Sequence, residues 1–151
     1  LAQTGNPAAF KFARPSIAGY NYSFSGLKTS FLYQLRDLKA GNPGFVNENL
    51  NDLCASLQYT IVEILLKKVK KAADELNIKS IALAGGVSAN SGLRSGLQSM
   101  GRKSGWKVYI PPVQFTTDNA AMIAMAGYFR YLKSDFAGWG VVPYARTSQQ
   151  L

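Results

Sequence analysis

The chain has 151 residues, of which 47% are hydrophobic and 17% charged, the composition of one ordered globular domain. No apolar run reaches the roughly 18 to 20 residues that a membrane span requires, so we expect no membrane association. Histidine is absent, which excludes Ser-His-Asp and Cys-His nucleophiles and the usual zinc sites from these residues. The single cysteine, Cys54, is interpreted as a small buried hydrophobe.

The net charge is strongly positive, because 17 Lys and Arg residues face only 8 Asp and Glu residues, which gives +9. Such an excess attracts polyanions, including nucleic acid, whatever the fold. The densest cluster is KKVKK, residues 67 to 71. On a helix these lysines share a face with Asp74, so the cluster is equally well explained as a solvated stripe.

The first half of the chain is predicted to be mainly helical and to end in a strand. The stretch NYSFSGLKTSFLYQLRDL predicts a strand end, a turn and a helix from about Gly26 to Leu38. Apolar residues then recur every three or four positions from Phe45 to Leu76, which predicts a long amphipathic helix with Asn77 as its left-handed cap. KSIALA, residues 79 to 84, predicts a buried strand.

Two more helices and one more strand are predicted in the second half of the chain. A helix is expected from Ser88 to Lys103, with Ser88 or Asn90 at its N-cap. WKVYI, residues 106 to 110, predicts a strand that two prolines stop, and residues 116 to 132 predict an Ala-rich helix. The tail from Gly138 shows no period. Alternating helices and strands are typical of an α/β layer with parallel strands.

Three polar turns are predicted at strand ends, where open α/β sheets bind their ligands. The first is AGGVSAN, in which Gly85 and Gly86 let a ligand approach the main chain closely. The helix that follows directs free N–H groups and a positive dipole toward that ligand, which favours a phosphate. A tight turn without any ligand remains the alternative, because GGxxxN matches neither established phosphate-binding spacing.

The second polar turn is SFSGLKT. The hydroxyls of Ser23 and Ser25 are able to bind a phosphate or a carbonyl group, and Lys28 is able to neutralise an anion. The alternative is that Ser25 only caps the helix that follows.

The third polar turn is PPVQFTTDNAA, which places Asp118 and Asn119 at a helix start. Asp118 is either a ligand for a metal ion or, like Thr116 and Thr117, a cap for the helix. The spacing does not decide between these two roles.

SFSGLKTSF, AGGVSANSGLR and TTDNAAMIAMAGY, in this order and at these separations, resemble the tRNA adenosine threonylcarbamoyltransferase family, TsaD or Gcp, formerly O-sialoglycoprotein endopeptidase. The resemblance runs from about Phe10 to Arg146 and covers only the C-terminal part of that family's chain. It implies a ribonuclease H-like α/β fold, namely one lobe of the two-lobed fold of actin, sugar kinases and the Hsp70 ATPase domain. Residues 1 to 151 are then a single lobe without its N-terminal counterpart.

The same resemblance implies an acyltransferase. It moves a threonylcarbamoyl group from threonylcarbamoyl-adenylate to N6 of adenosine 37 in tRNAs that read codons beginning with A. The implied setting is the cytoplasm, with a TsaB-like paralogue and a TsaE-like ATPase as partners in bacteria. Each implied role falls on a residue of this sequence: substrate contacts on Asn90, Gly85 and Gly86, cleft positions on Ser23, Ser25 and Lys28, and one ligand of an iron or zinc ion on Asp118.

The family's metal-binding histidines lie in the N-terminal lobe, and this chain has none. The chain alone is therefore expected to bind metal poorly and to be inactive. Three other functions stay open: a kinase-like nucleotide-binding lobe, a pure RNA-binding module and a metalloprotease. The absence of an HExxH helix argues against the metalloprotease.

Overall fold

A computed structural model describes residues 1 to 142, which fall into two compact units, Leu1–Thr116 and the segment that begins at Thr117. The second unit contains α5 (Ala120–Leu132), and the predicted irregular tail beyond residue 142 lies outside the described residues. None of the described helices combines the length and the apolar character that crossing a bilayer demands. The first unit contains, in chain order, α1 (Ser25–Gly41), α2 (Phe45–Glu48), α3 (Leu50–Glu75), β1 (Ser80–Ala82), α4 (Ser91–Ser104) and β2 (Lys107–Tyr109).

The predicted parallel α/β arrangement is confirmed for the first unit. β1 and β2 pair in parallel, with Ile81 opposite Val108 at the centre of the register, and α4 connects them. Two further main-chain hydrogen bonds extend the pairing beyond the strand ends. Lys107 N donates to Lys79 O at 2.8 Å, and Leu83 N donates to Tyr109 O at 2.9 Å.

The long helix predicted from Phe45 to Leu76 is present but broken once. The break falls at Asn49, where φ is −118° and ψ is 16°, and the side-chain nitrogen of Asn49 donates to Phe45 O at 2.9 Å. Asn side chains compete with the helix for main-chain hydrogen bonds in this way, which explains the separation of α2 from α3. The cap predicted at Asn77 is confirmed, since its φ is +53°.

Two predictions about helix starts are wrong. Residues 21 to 24 form no strand before the SFSG turn, and Ser25 is the first residue of α1 rather than its cap. Phe24 takes the cap position and makes no side-chain hydrogen bond, so α1 begins without a polar cap.

The start of α5 also differs from the prediction, because its cap is Asn119, whose Oδ1 accepts a hydrogen bond from Met122 N at 2.9 Å. The expected caps, Thr116, Thr117 and Asp118, therefore all precede the cap position.

The core of the first unit consists of two hydrophobic clusters, and α3 contributes to both. One joins α3 to α1 and to Phe12, and its buried members are Phe12, Leu27, Leu53 and Ile64. The other joins α3 to α4 and the sheet through Leu66, Leu93 and Leu97, with Ile81 and Val108 packed against it. Cys54 is half-buried rather than buried, because it lies beside the core-facing residues of α3 instead of among them.

Gly101 of α4 is the point at which the helix packs most closely on the sheet. It is buried, and a Cβ there would overlap the side chain of Val108. Gly127 of α5 is also helical, but a Cβ there would meet no atom within 4 Å.

We predict that Gly101→Ala destabilises the fold by about 1 to 3 kcal/mol, because overpacking outweighs the better helix propensity of alanine. Gly127→Ala is the matched control and should be neutral or stabilising by up to about 1 kcal/mol. Chemical denaturation followed by circular dichroism measures both variants. Equal effects at the two positions would contradict the close packing of α4 on β2.

Candidate functional site

The chain turns sharply after β1, at Gly85 and Gly86. Gly85 has a φ of +83° and a ψ of 171°, a conformation that residues with a side chain rarely adopt. Gly86 begins a short 3-10 turn, Gly86–Ala89, that leads to α4. A Cβ added at either glycine would meet no atom within 4 Å, so the space beside this main chain is open. We call Gly85 to Asn90 the glycine turn.

Asn90 closes the glycine turn and is the N-cap of α4. Its Oδ1 accepts a hydrogen bond from Leu93 N at 2.9 Å, as the sequence predicts for an N-cap. Its Nδ2 donates to Oε1 of Gln58, a residue of α3, at 3.1 Å. A carboxamide has two N–H groups and two lone pairs, so one donor and one acceptor remain for another molecule. Binding to substrate is therefore compatible with the cap but is not its only role.

Arg94 holds the glycine turn in place, a role that was not predicted from the sequence. Its Nε donates to Ser88 O at 2.6 Å, and its Nη2 donates to Pro111 O at 2.7 Å. These charge-assisted hydrogen bonds tie the segment after β1 to the segment after β2. The only available signal was the position of Arg94 within AGGVSANSGLR, because nothing local identifies Pro111 as its second partner.

Ser88 lies in the glycine turn but is not a helix cap, contrary to one of the two predicted options. It is fully buried, and among the described residues its hydroxyl has no hydrogen-bond partner. An unpaired buried hydroxyl costs about 1 to 3 kcal/mol. The Ser88 hydroxyl is therefore a polar group without a hydrogen-bond partner among the described residues, and it lies close to the open main chain of Gly85 and Gly86.

Lys28 and the glycine turn border the same surface groove. This groove has a volume of about 610 Å³ and lies between α1, α3 and the end of β1. Lys28, Val87 and Ser88 line one part of it, and the rest of its wall is apolar, contributed by residues such as Phe31 and Leu65. Lys28 therefore borders the same groove as Val87 and Ser88 of the glycine turn, and its predicted role in a substrate cleft stays a prediction.

Ser23 is not part of that groove. It lines a separate small cavity of about 60 Å³, whose other polar residues include Arg14, Glu63 and Lys68. The guanidinium of Arg14 is 2.7 Å from a carboxylate oxygen of Glu63, so this cavity already contains its own ion pair. The predicted group of Ser23, Ser25 and Lys28 is therefore divided, since Ser25 lines neither space.

Asp118 lies in the second unit, one residue before the cap of α5. Its side chain is exposed, and within residues 1 to 142 it makes no hydrogen bond or ion pair. The glycine turn belongs to the first unit. The predicted place of Asp118 in the same cleft therefore stays a prediction.

Comparison with known proteins relates this site to a family. The model of the family described as tRNA N6-adenosine threonylcarbamoyltransferase, TsaD, matches residues 1–125, which include the glycine turn and Asp118. The chain belongs to the TsaD family. The resemblance expected from SFSGLKTSF, AGGVSANSGLR and TTDNAAMIAMAGY is thereby confirmed.

The relatives named tRNA N6-adenosine threonylcarbamoyltransferase are much longer than this TsaD-family chain. The one from Porphyromonas gingivalis is 57% identical over 146 residues, which are 97% of this chain and 43% of the relative. The one from Phocaeicola vulgatus is 55% identical over 148 residues, 98% of this chain and 44% of the relative. The one from Thermosipho africanus is 50% identical over 137 residues, 88% of this chain and 39% of the relative. The chain spans less than half the length of each.

Among the described residues of this TsaD-family chain, Asp118 is the candidate metal ligand that the sequence predicts. In the part of the chain that the structure describes, no group of three or more His, Cys, Asp and Glu side chains is arranged to hold a metal ion. Asp118 offers one carboxylate, and metal affinity depends on the number and geometry of the ligands.

We predict that Gly85→Ala destabilises the protein by about 1 to 3 kcal/mol, because its φ and ψ lie in a region that essentially only glycine occupies. Gly86→Ala, the matched control, should change stability by less than about 0.5 kcal/mol, because its Cβ has open space. Thermal and chemical denaturation measure the two variants. A larger effect at Gly86 than at Gly85 would contradict the described turn.

A second prediction separates the capping role of Asn90 from its other contacts. Asn90→Asp keeps the oxygen that accepts from Leu93 N, so it should change stability by less than about 0.5 kcal/mol. Asn90→Ala removes the cap and should cost about 1 kcal/mol. Denaturant titration gives both values. Equal losses would show that the contact with Gln58, rather than the cap, provides the stabilisation.

Proposed function

We propose that this chain is the C-terminal part of an enzyme that transfers a threonylcarbamoyl group from threonylcarbamoyl-adenylate to N6 of adenosine 37 in tRNA. The observation that carries the proposal is the family match over residues 1–125, together with 57% identity to a relative of that name. The glycine turn supports it, because the turn leaves main chain open beside the start of a helix.

We further propose that the chain forms one lobe of the two-lobed fold of actin and sugar kinases. The parallel β1–β2 pair with α4 as its connection is compatible with such a lobe. Relatives more than twice as long supply the additional sequence that a second lobe requires. Ligands of two-lobed proteins bind between domains, so the glycine turn would form one wall of that cleft.

The glycine turn is proposed to bind the adenylate. α4 directs its free N–H groups and its positive dipole end toward the turn, which favours the phosphate of the adenylate. Asn90 has one N–H group and one lone pair left for hydrogen bonds with the nucleotide. Lys28, at the neighbouring groove, adds a positive charge near this position. Ser23 and Ser25 are proposed only as residues of the cleft, without an assigned contact to the substrate.

Asp118 is proposed to supply one oxygen ligand to a divalent iron or zinc ion, with the other ligands outside this chain. When bound, such an ion polarises a carbonyl group as a Lewis acid. A TsaB-like paralogue and a TsaE-like ATPase are proposed partners, and the cytoplasm is the proposed location. These proposals rest on the family membership and on the position of Asp118 before α5.

The proposed reaction is acyl transfer from a mixed anhydride to an amine. The lone pair of adenosine N6 forms a bond to the carbamoyl carbon. The bond from that carbon to the phosphate oxygen breaks, and AMP leaves with the electron pair. N6 gives up one proton to a base that this proposal does not assign. The contribution of this chain is to hold the AMP part in place, since correct positioning alone lowers such barriers considerably.

A chimera tests the proposed function. The matched segment of the Porphyromonas gingivalis relative, 57% identical over 146 residues, is replaced by this chain. The chimera should form the modified nucleoside in unmodified tRNA with threonylcarbamoyl-adenylate, as measured by mass spectrometry of digested tRNA. The 151-residue chain alone should form none. A folded chimera that is inactive beside an active native relative would contradict the proposal, as would transfer by the chain alone.

Variants of the chimera test the proposed residues. Asp118→Asn should lower the rate by at least about 100-fold, a loss comparable to that of removing a single essential electrostatic group. Asp135→Asn is the matched control, because Asp135 belongs to the same unit but pairs with Arg130 at 2.9 Å. Asn90→Asp should weaken adenylate binding through charge repulsion, with its fold intact. Unchanged kinetics for both Asp118→Asn and Asn90→Asp would remove these residues from the site.

A further inference from the structure

Three of the four lysines in the run at residues 67 to 71 contact partners within the folded chain. Lys70 pairs with Asp74 at 2.6 Å, and Lys71 pairs with Glu75 at 3.7 Å. Lys68 donates to two main-chain carbonyls, at 2.5 Å to Ile17 and 2.7 Å to Gly19. The stripe expected from the sequence, with Asp74 as partner, is therefore confirmed. Two of the four positive charges in the densest cluster of the sequence are therefore compensated by carboxylates of the same helix.

A different set of cations meets at the opposite end of the sheet from the glycine turn. Lys79 immediately precedes β1, Lys107 begins β2, and the main-chain hydrogen bond between them measures 2.8 Å. Arg102 and Lys103 belong to the last turn of α4. The chain then leads into β2, and on the way Trp106 N donates a hydrogen bond to Gly101 O at 2.9 Å. We call Lys79, Arg102, Lys103 and Lys107 the basic end.

The cations of the basic end are exposed, and within the described residues none of them has an acidic partner. Their side chains take part in none of the ion pairs found in residues 1 to 142. Asp74 and Glu75, the acidic residues nearest in sequence to Lys79, are already paired with Lys70 and Lys71. Asp118, the acidic residue nearest in sequence to Lys107, belongs to the second unit. The four positive charges of the basic end therefore have no ion-pair partner among the described residues.

The helix dipole explains only half of the basic end. Arg102 and Lys103 stabilise the C-terminus of α4, where cations are favoured. Lys79 and Lys107 lie at the starts of neighbouring strands, which have only small net dipoles, so a dipole does not account for these two cations. A polyanion that binds here gains contacts with all four cations and releases its own counterions.

We propose that the basic end, Lys79, Arg102, Lys103 and Lys107, contacts the phosphate backbone of RNA. The choice of tRNA as that RNA rests on the proposed function; the surface itself rests on the four uncompensated charges. Lys79 and Gly85 are six residues apart, which places the basic end up to about 20 Å from the glycine turn. The contacts would thus hold the RNA backbone at a distance from the reacting base, without reading its sequence.

The test measures binding of an unmodified tRNA transcript to the 151-residue chain by fluorescence anisotropy, at several salt concentrations and without adenylate. In the test variant, Lys79, Arg102, Lys103 and Lys107 are all replaced by Gln. We expect it to bind about tenfold more weakly or worse, and its dependence of log Kd on log salt to be shallower by about 0.7 to 0.9 per lost phosphate contact. Circular dichroism verifies that the variant is folded.

Two further variants act as controls. Replacing Lys39, Lys67, Lys70 and Lys71 by Gln removes the same total charge from exposed positions elsewhere and should weaken binding much less. Exchanging charge for charge at the basic end, with Lys79→Arg, Arg102→Lys, Lys103→Arg and Lys107→Arg, should retain the affinity and the salt dependence. Retained binding by this exchange variant separates lost charge from damaged structure.

Several outcomes would overturn the proposal. They are equal losses in the two Gln variants, unchanged binding by the test variant, and no salt-dependent tRNA binding by the unaltered chain. The same test variant is also assayed for binding to vesicles that contain phosphatidylserine. If it keeps its affinity for tRNA but loses its affinity for these vesicles, the basic end contacts a lipid surface instead of RNA. An inactive chimera overturns the proposed function but not this surface, because the binding test needs no transfer. In an active chimera, the four Gln substitutions should raise KM for tRNA and leave kcat unchanged.

Discussion

The packing of α4 against α3 is the constraint on which the rest of the first unit depends. Leu97 is only 2% exposed, and with Leu93 and Leu66 it forms the cluster onto which Ile81 and Val108 of the sheet pack. Two strands of three residues each would not be stable by themselves. The helical pair supplies the apolar surface that holds them, and so fixes where both strands end.

Polar contacts convert this packing into a defined site. The cap at Asn90 fixes the start of α4, and its second hydrogen bond, to Gln58, connects that start to α3. Arg94 then joins the ends of the two strand segments through Ser88 O and Pro111 O. These side chains hold the glycine turn rigidly, and a rigid turn can offer a ligand open main chain at a low entropic cost.

The number of charged residues in the sequence does not show where the surface of the folded protein is positively charged. The net charge of +9 predicts an attraction for polyanions, but three of the four lysines in the run at residues 67 to 71 contact acidic side chains or main-chain carbonyls within the chain. Pairs at i and i+4 on an exposed helix contribute little stability each, yet they lower the local positive potential. The four charges of the basic end come from three separate segments, and the fold brings the start of β1 next to the start of β2 and the end of α4.

The sequence by itself determined the features that depend on local chemistry. Apolar periodicity identified α3 and α4, the break after Ala84 identified the glycine turn, and Asn77 was recognised as a left-handed cap. The family motifs were also recognisable in the sequence, because each is a short run of consecutive residues. Errors arose at helix starts, where Phe24 and Asn119 took positions expected for serine, threonine or aspartate. Several residue types cap almost equally well, so local propensity does not select among neighbours.

Only the tertiary structure decided which distant residues meet. Gln58 and Asn90 are 32 positions apart, Arg94 and Pro111 are 17 apart, and Lys68 reaches a loop about 50 residues upstream. Ser23 and Lys28 are close in sequence, yet the fold assigns them to different cavities. Such pairings follow from the burial of apolar helix faces, which brings polar side chains together without any periodic signal in the sequence.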